Sequence, residues 1–205
     1  MKITKIHSLS AGLVGLLLLG SAYQTKNPTP RPPEAVLDSL YRQLTDEQKR
    51  LPENALSGLK IADGLDATLF ASEPTITNPT NIDVDARGRV WVCEAYNYRP
   101  AITGNPTHQE GDRIMILEDT DGDGKSDVSK VFYQGPEVNA PLGIWVMGNR
   151  VLVSQSPYVW LFTDENGDDK ADKKEVVFQG IEGEQHDHGM HAFTFGPDGK
   201  MYFNF

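Results

Sequence analysis

Cysteine is all but missing from this chain: Cys93 is the only one among 205 residues. No disulfide can therefore form within the chain, and Cys-x-x-Cys-His, the run that attaches haem covalently, does not occur in it. Cys93 lies in the apolar run VWVCEAY, where it reads as a small buried hydrophobe. Basic residues are in deficit, 19 Lys and Arg against 29 Asp and Glu, for a formal net charge of -10. An acidic surface repels phosphates, so nucleic acid is an unsuitable partner, whereas divalent cations and neutral solutes are not excluded. Long apolar stretches are missing too. LSAGLVGLLLLG (9–20) holds about a dozen apolar residues, short of the ~20 that span a bilayer. No cysteine follows it, which excludes a lipid anchor attached by that route.

What stands at the start is instead the pattern of a secretory signal peptide over residues 1–22. Lys2 and Lys5 give the positive end, the apolar run is the core, and Gly20-Ser21-Ala22 supplies the small residues of a cleavage site. The expected destination is the periplasm or the extracellular space, with membrane association left open. Residues 23–33, YQTKNPTPRPP, carry four prolines and read as an exposed linker. Residues 34–58 read as a short helical segment. Val36, Leu37, Leu40, Tyr41 and Leu44 fall at helical spacing, and the helix should stop near Leu51-Pro52.

From residue 59 onward no helical periodicity of useful length occurs. Short β-rich runs such as DATLFA, RVWVCEA, RIMILED, GIWVMG, RVLVSQS and YVWLFTD alternate with Gly, Pro, Asn and Asp turns. The texture repeats. RIMILEDTDGDGKSDVSKVFYQG (113–135) aligns with YVWLFTDENGDDKADKKEVVFQG (158–180) at a constant offset of 45 residues. A strand–turn–strand unit recurs as NIDVDARGRVWVCE, GIWVMGNRVLVSQS and AFTFGPDGKMYFNF. A repeat of this length built from four short strands predicts an all-β fold of β-propeller type. Blades are expected over 76–135 and 139–180 and from 189 onward, about two and a half in all, the first enlarged by the insertion 97–112. Residues 59–205 then form the N-terminal part of a propeller domain.

Two loops carry candidate metal ligands. Asp119, Asp121, Asp123 and Asp127 place carboxylates at positions 1, 3, 5 and 9, with Gly124 at position 6 for the sharp turn and the Lys125 carbonyl at position 7. That is the oxygen-rich pattern that suits calcium, although the flanking strands exclude an EF-hand. The plainer alternative is a polar turn whose aspartates cap backbone N–H groups. The second copy, Asp164, Asn166, Asp168 and Asp172, lacks the glycine at position 6 and is expected to be the weaker site.

Three of the five histidines, His186, His188 and His191, fall just before the strand AFTFG, in EQHDHGMHAFTFGPDGKMYFNF. They can be read as a metal cluster, as a general base with its neighbours, or as polar loop residues beside Asp187.

The segment DHGMHAFTFGPDGKMYF resembles the Asp-His … Gly-Pro-Asp-Gly segment of soluble quinoprotein glucose and sorbosone dehydrogenases, which are six-bladed propellers using pyrroloquinoline quinone. The resemblance implies that His188, eight residues before Gly196, is the base that takes the substrate hydroxyl proton, and that Asp187 contacts the substrate. Met190 and His191 depart from the small residues usual there. Over residues 56–205 the chain also resembles the N-terminal propeller of membrane-bound dehydrogenases, through GLDATLFASEPTITNPTNIDVDARGRVWVCEAYNYR, APLGIWVMGNRVLVSQSP and DHGMHAFTFGPDGKMYFNF. Such propellers are often followed by helical repeats and a haem-binding Cys-x-x-Cys-His domain. This implies an alcohol or sugar substrate, a quinone whose contacts come mostly from later blades, and a cytochrome-type electron acceptor, with haem c only in a further domain. The competing expectation is a calcium-stabilised propeller that binds glycan or protein without catalysis. The signal pattern predicts cleavage next to Ala22, so mass spectrometry of exported protein should find an N-terminus close to residue 23; an intact Met1 would overturn it.

Overall fold

In each apolar run of the middle of this chain, alternate side chains belong to different cores, and that period of two dictates the architecture. The computed structural model describes residues 34–104, 106–180 and 189–204. Two four-stranded antiparallel sheets follow one another. The first, ordered β1-β2-β3-β4, comprises Pro79–Val84, Val90–Glu94, Arg113–Glu118 and Val128–Gln134. The second, ordered β5-β6-β7-β8, comprises Gly143–Met147, Arg150–Gln155, Tyr158–Thr163 and Lys173–Gln179. A hairpin of β9 (His191–Phe195) and β10 (Met201–Asn204) comes third.

The three leading strands run parallel, side by side. Val146 N–H donates to Asp83 Oδ2 at 2.6 Å and Thr80 Oγ1 donates to the Pro141 carbonyl at 2.5 Å, joining β1 to the β5 region. Gly143 lets β9 approach β5, since a Cβ there would lie 3.1 Å from Ala192 N and 2.9 Å from Ser154 Oγ. This is the arrangement of successive, partial propeller blades.

Packing obeys the alternation. Trp91, Cys93, Ile114 and Ile116 of the first sheet meet Ile144, Val151, Val153 and Phe162 of the second in one core, with Phe132 and Val138. The intervening residues face away: Leu152 and Val159, with Trp145 and Met147, pack on Phe193 and Met190 at the hairpin. Both faces of the second sheet are therefore covered, which explains why β5 to β7 are apolar almost throughout. On the far face of the first sheet, Val92, Met115 and Leu117 are covered by Phe70, Ala71 and Ile76. DATLFA, expected as a strand, lies in residues 66–71 as extended chain with no strand pairing. It contributes apolar cover and one bond, Ser126 N–H to the Phe70 carbonyl at 2.9 Å. The helical segment is broken more than the sequence suggested. Glu34–Gln43 (α1) and Asp46–Lys49 (α2) are separated by Leu44 and Thr45, the latter capping α2 with a reciprocal Thr45–Gln48 box, and a 3₁₀ turn follows over Pro52–Gly58. Within the insertion, Pro100–Thr103 (α3) forms a single turn.

One ion cluster ties the two sheets. Asp85, at the β1–β2 turn, accepts from Arg89 Nε at 2.8 Å and from Trp91 Nε1 at 3.0 Å. Arg89, only 5% exposed, reaches across to Asp169 of the β7–β8 loop at 2.6 Å, where Lys130 of β4 also arrives at 2.5 Å. Burial opposes ionisation of Asp169, but the bonds from Lys130 and Arg89 win and hold its pKa at about 2. A depressed carboxylate pKa contributes stability that is present above its unfolded value and lost as pH falls through the folded one. Here the window runs from about pH 4 down to about 2, and the contribution is about 2 kcal/mol. Asp169→Asn retains a residue that tolerates the left-handed backbone at φ 64 but removes the charge. It should cost about 2–3 kcal/mol at neutral pH, because Arg89 loses one of its two carboxylates while buried. Urea unfolding of both proteins from pH 6 to pH 2 checks this: the gap between them should shrink as the pH falls below 4, and a gap independent of pH would refute the assignment.

Candidate functional site

Antiparallel up-and-down strands sort the connections to two rims. One rim carries the hairpin turns 85–89, 148–149 and 196–200 and the two aspartate loops, 119–127 and 164–172. The other carries the insertion after β2, the β4–β5 connection, the β6–β7 turn and the β8–β9 connection.

On the first rim the two aspartate loops share one hydrogen-bond scheme. Asp119 accepts from the N–H groups of Gly122 at 2.7 Å and Gly124 at 2.8 Å, as Asp164 does from Gly167 at 2.6 Å and Asp169 at 3.0 Å. Asp121 and Asn166 each accept from the N–H two residues on, as do Asp123 from Lys125 and Asp168 from Lys170. Asp127 closes its loop on the Thr120 N–H at 2.7 Å and hydroxyl at 2.8 Å, and those bonds lower its pKa. Asp172 closes the second loop on Glu165 N–H at 2.7 Å. Capping of backbone N–H groups, weighed above as the plainer reading, is thus part of both loops.

The loops differ at the centre. Asp119, Asp121 and Asp127 bring one carboxylate oxygen each within 4.8 Å of one another, a grouping that can take a metal ion. Asp123 is outside that group. In the second loop Asn166 Nδ2 donates to Asp172 Oδ1 at 3.2 Å, so a protein N–H occupies the place where a cation would neutralise the acids. The glycine at position 6 is not what distinguishes them. Asp169 adopts φ 64 against 83 for Gly124, and the same loop forms.

Among the described residues the other rim holds two further buried carboxylates and four of the five non-glycine residues with left-handed backbone. Glu94, 2% exposed, accepts from Thr77 N–H at 2.7 Å and takes Arg113 in a two-point pair at 2.5 and 2.8 Å. Asp112, 1% exposed, has backbone partners: Asn97 N–H at 2.9 Å and Ala140 N–H at 2.7 Å. Burial pushes its pKa up against those bonds, and the charge of Glu94 adds to the rise. Asp112 thereby ties the insertion to the β4–β5 connection. Gly111, beside it at φ 87, passes Gly135 so closely that any Cβ would strike the Gly135 carbonyl. Four non-glycine residues here have left-handed backbone: Asn78 at φ 46, Arg99 at 47, Ala140 at 50 and Ala192 at 37. Such conformations cost roughly 1–3 kcal/mol each and gather at functional sites.

His191 is the half-buried first residue of β9, opposite Asn204. His186, Asp187 and His188 lie outside the described residues. The flanks of their segment are described, and both meet the β6–β7 turn: Gly180 N–H donates to the Pro157 carbonyl at 3.1 Å, and a Cβ on Gly189 would lie 2.3 Å from Ser156 Oγ. Glu94, Asn97 and Asp112 were not singled out from sequence. Glu94 in VWVCEAY and Asp112 in EGDRIMILE do stand out as acids at the ends of apolar runs, where burial makes a charge expensive.

The difference between the loops gives a test. Calcium titration should show a site that Asp121→Ala abolishes and Asn166→Ala leaves alone, and Asn166→Asp should create a second one. A single site lost in Asn166→Ala would overturn the ranking.

Three solved structures match over part of the chain. One is the holo PQQ domain of a pyranose dehydrogenase from Coprinopsis cinerea, 20% identical with a TM-score of 0.44, covering 60% of this chain and 26% of that one. Two are structures of a carbohydrate-active enzyme of family AA12 from Trichoderma reesei, described as an iodide and a calcium structure. Each is 18% identical with a TM-score of 0.48 and covers 67% of this chain, and 31% and 30% of those chains respectively. The chain thus spans less than a third of the length of the structures it matches. No curated protein matches the sequence. A family model described as "Domain of unknown function (DUF7133)" matches residues 51–205, and the chain belongs to that family.

Proposed function

We propose that this chain is part of an exported oxidoreductase, built on a six-bladed propeller, that oxidises an alcohol or sugar carbon with His188 as general base and Asp187 beside it. The observation that carries the reading is the second rim. Buried Glu94 and Asp112 and the left-handed residues Asn78, Ala140 and Ala192 lie on the same rim as Gly180 and Gly189, the described flanks of the segment that carries Asp187 and His188. A rim held this rigidly suits a base that must stay within hydrogen-bond reach of one hydroxyl.

A bound pyrroloquinoline quinone would supply the two-electron acceptor. Its carboxylates call for cations, and the described residues of this rim offer little: Arg113 is engaged by Glu94, and Arg99 lies over the Tyr98 ring. The cradle would come from residues outside the described set. The chain's own part is then to orient the substrate and accept its proton. Electrons would pass to a cytochrome-type acceptor, haem c included where a further domain carries it. Calcium is the cation proposed for the Asp119 loop, where it would brace the opposite rim and touch no substrate. The place of action would be the periplasm or the cell exterior.

In full-length protein loaded with quinone, His188→Ala should lower turnover ~10²–10⁴-fold, the usual cost of losing a positioned base, while circular dichroism stays unchanged. His186→Ala should do much less. Turnover that survives His188→Ala would overturn the assignment.

A further inference from the structure

The insertion 97–112 is held far more firmly than an exposed loop requires. Asn97 turns both ends of its side-chain amide to His108: its Oδ1 accepts from His108 N–H at 2.7 Å and its Nδ2 donates to the His108 carbonyl at 2.8 Å. The same Nδ2 reaches Asn139 Oδ1 at 2.7 Å, and Asn139 in turn donates to the Pro136 carbonyl at 2.6 Å. Buried Asp112 fixes the Asn97 backbone from the other side at 2.9 Å. The product of these bonds is an aromatic stack. The His108 and Tyr96 rings lie 3.6 Å apart between centroids and 10° from parallel, with Tyr96 half-buried and His108 exposed.

We infer that the Tyr96–His108 stack is a binding platform for a neutral pyranose ring, on the rim of the proposed chemistry. One face of His108 is covered by Tyr96, and Asn97 holds the His108 backbone at both its N–H and its carbonyl. A sugar presents a face of C–H groups that stacks on such a ring, and a border of hydroxyls that needs donors and acceptors close by. Thr107 and Gln109 flank His108, exposed and bonded to each other at 3.1 Å, and supply both. The acidic chain disfavours an anionic ligand in that place. Ordering the platform before the ligand arrives removes an entropic cost from binding, which accounts for the investment in Asn97 and Asp112. The inference gives the dehydrogenase reading its substrate class, and it rests on that reading for the sugar's fate but not for its binding.

The test uses full-length protein labelled with ¹³C at histidine Cε1 and titrated with methyl glycosides of glucose, galactose and fucose. The His108 resonance, assigned by its loss in His108→Leu, should move saturably with at least one of them. Tyr96→Leu should weaken that binding about 3- to 10-fold, the scale of one aromatic stacking contact. If Tyr96→Leu frees the whole insertion, His108→Leu, which keeps the backbone bonds to Asn97, should show the same loss by calorimetry. No movement with any of the three glycosides, or full affinity in His108→Leu, overturns the platform. Glycoside binding at His108 with no quinone-dependent turnover of either the glycosides or the corresponding free sugars would uphold the platform and reject the dehydrogenase. Sugar turnover that leaves His108 unmoved would do the reverse.

Discussion

The first two blades are held in register by the carboxylate of Asp169, to which Arg87, Arg89 and Lys130 of the neighbouring sheet all converge. Apolar contacts between sheets are non-directional and would tolerate sliding, whereas a half-buried carboxylate shared by several cations does not. Each partner alone is a poor candidate for burial, and together they satisfy one another. The leading strands keep this alignment along their length through the Asp83–Val146 and Thr80–Pro141 bonds.

That alignment lets the two rims specialise. One rim is made of regular hairpins and repeated loops whose polar groups bond mostly within the loop, the link from Asp169 to Arg87, Arg89 and Lys130 being the exception. The other is made of irregular connections, and there the chain accepts left-handed backbone at Arg99 and Ala140 and buries Glu94 and Asp112. Strain of this kind persists only where neighbouring contacts over-determine it, and Asp112, bonded to Asn97 on one side and Ala140 on the other, is such a contact.

Much of this was legible in the residues. The 45-residue offset and the alternation in RIMILE and RVLVSQ predict strands, faces and sheet size, because side-chain direction along a strand follows from backbone geometry alone. The shared loop pattern predicts that both aspartate loops fold alike. The sequence misleads where a residue's role is set from elsewhere: Asp169 looks like the defect of the second loop and is the link between sheets. DATLFA reads as a strand, but no neighbour pairs with it and it serves as cover for Val92 and Met115.

The sequence by itself determined the all-β class, the repeat and the aspartate-loop pattern, since each is written in the order and alternation of residues along the chain, whereas the roles of Asp187 and His188 are what the family resemblance implies. Only the tertiary structure decided that Asn166 closes its loop with an N–H while three carboxylates gather at Asp119. It alone brought Asn97, His108, Asp112 and Asn139 together. Those contacts join residues 11 to 42 positions apart, with separations set by how two sheets pack and not by any local period.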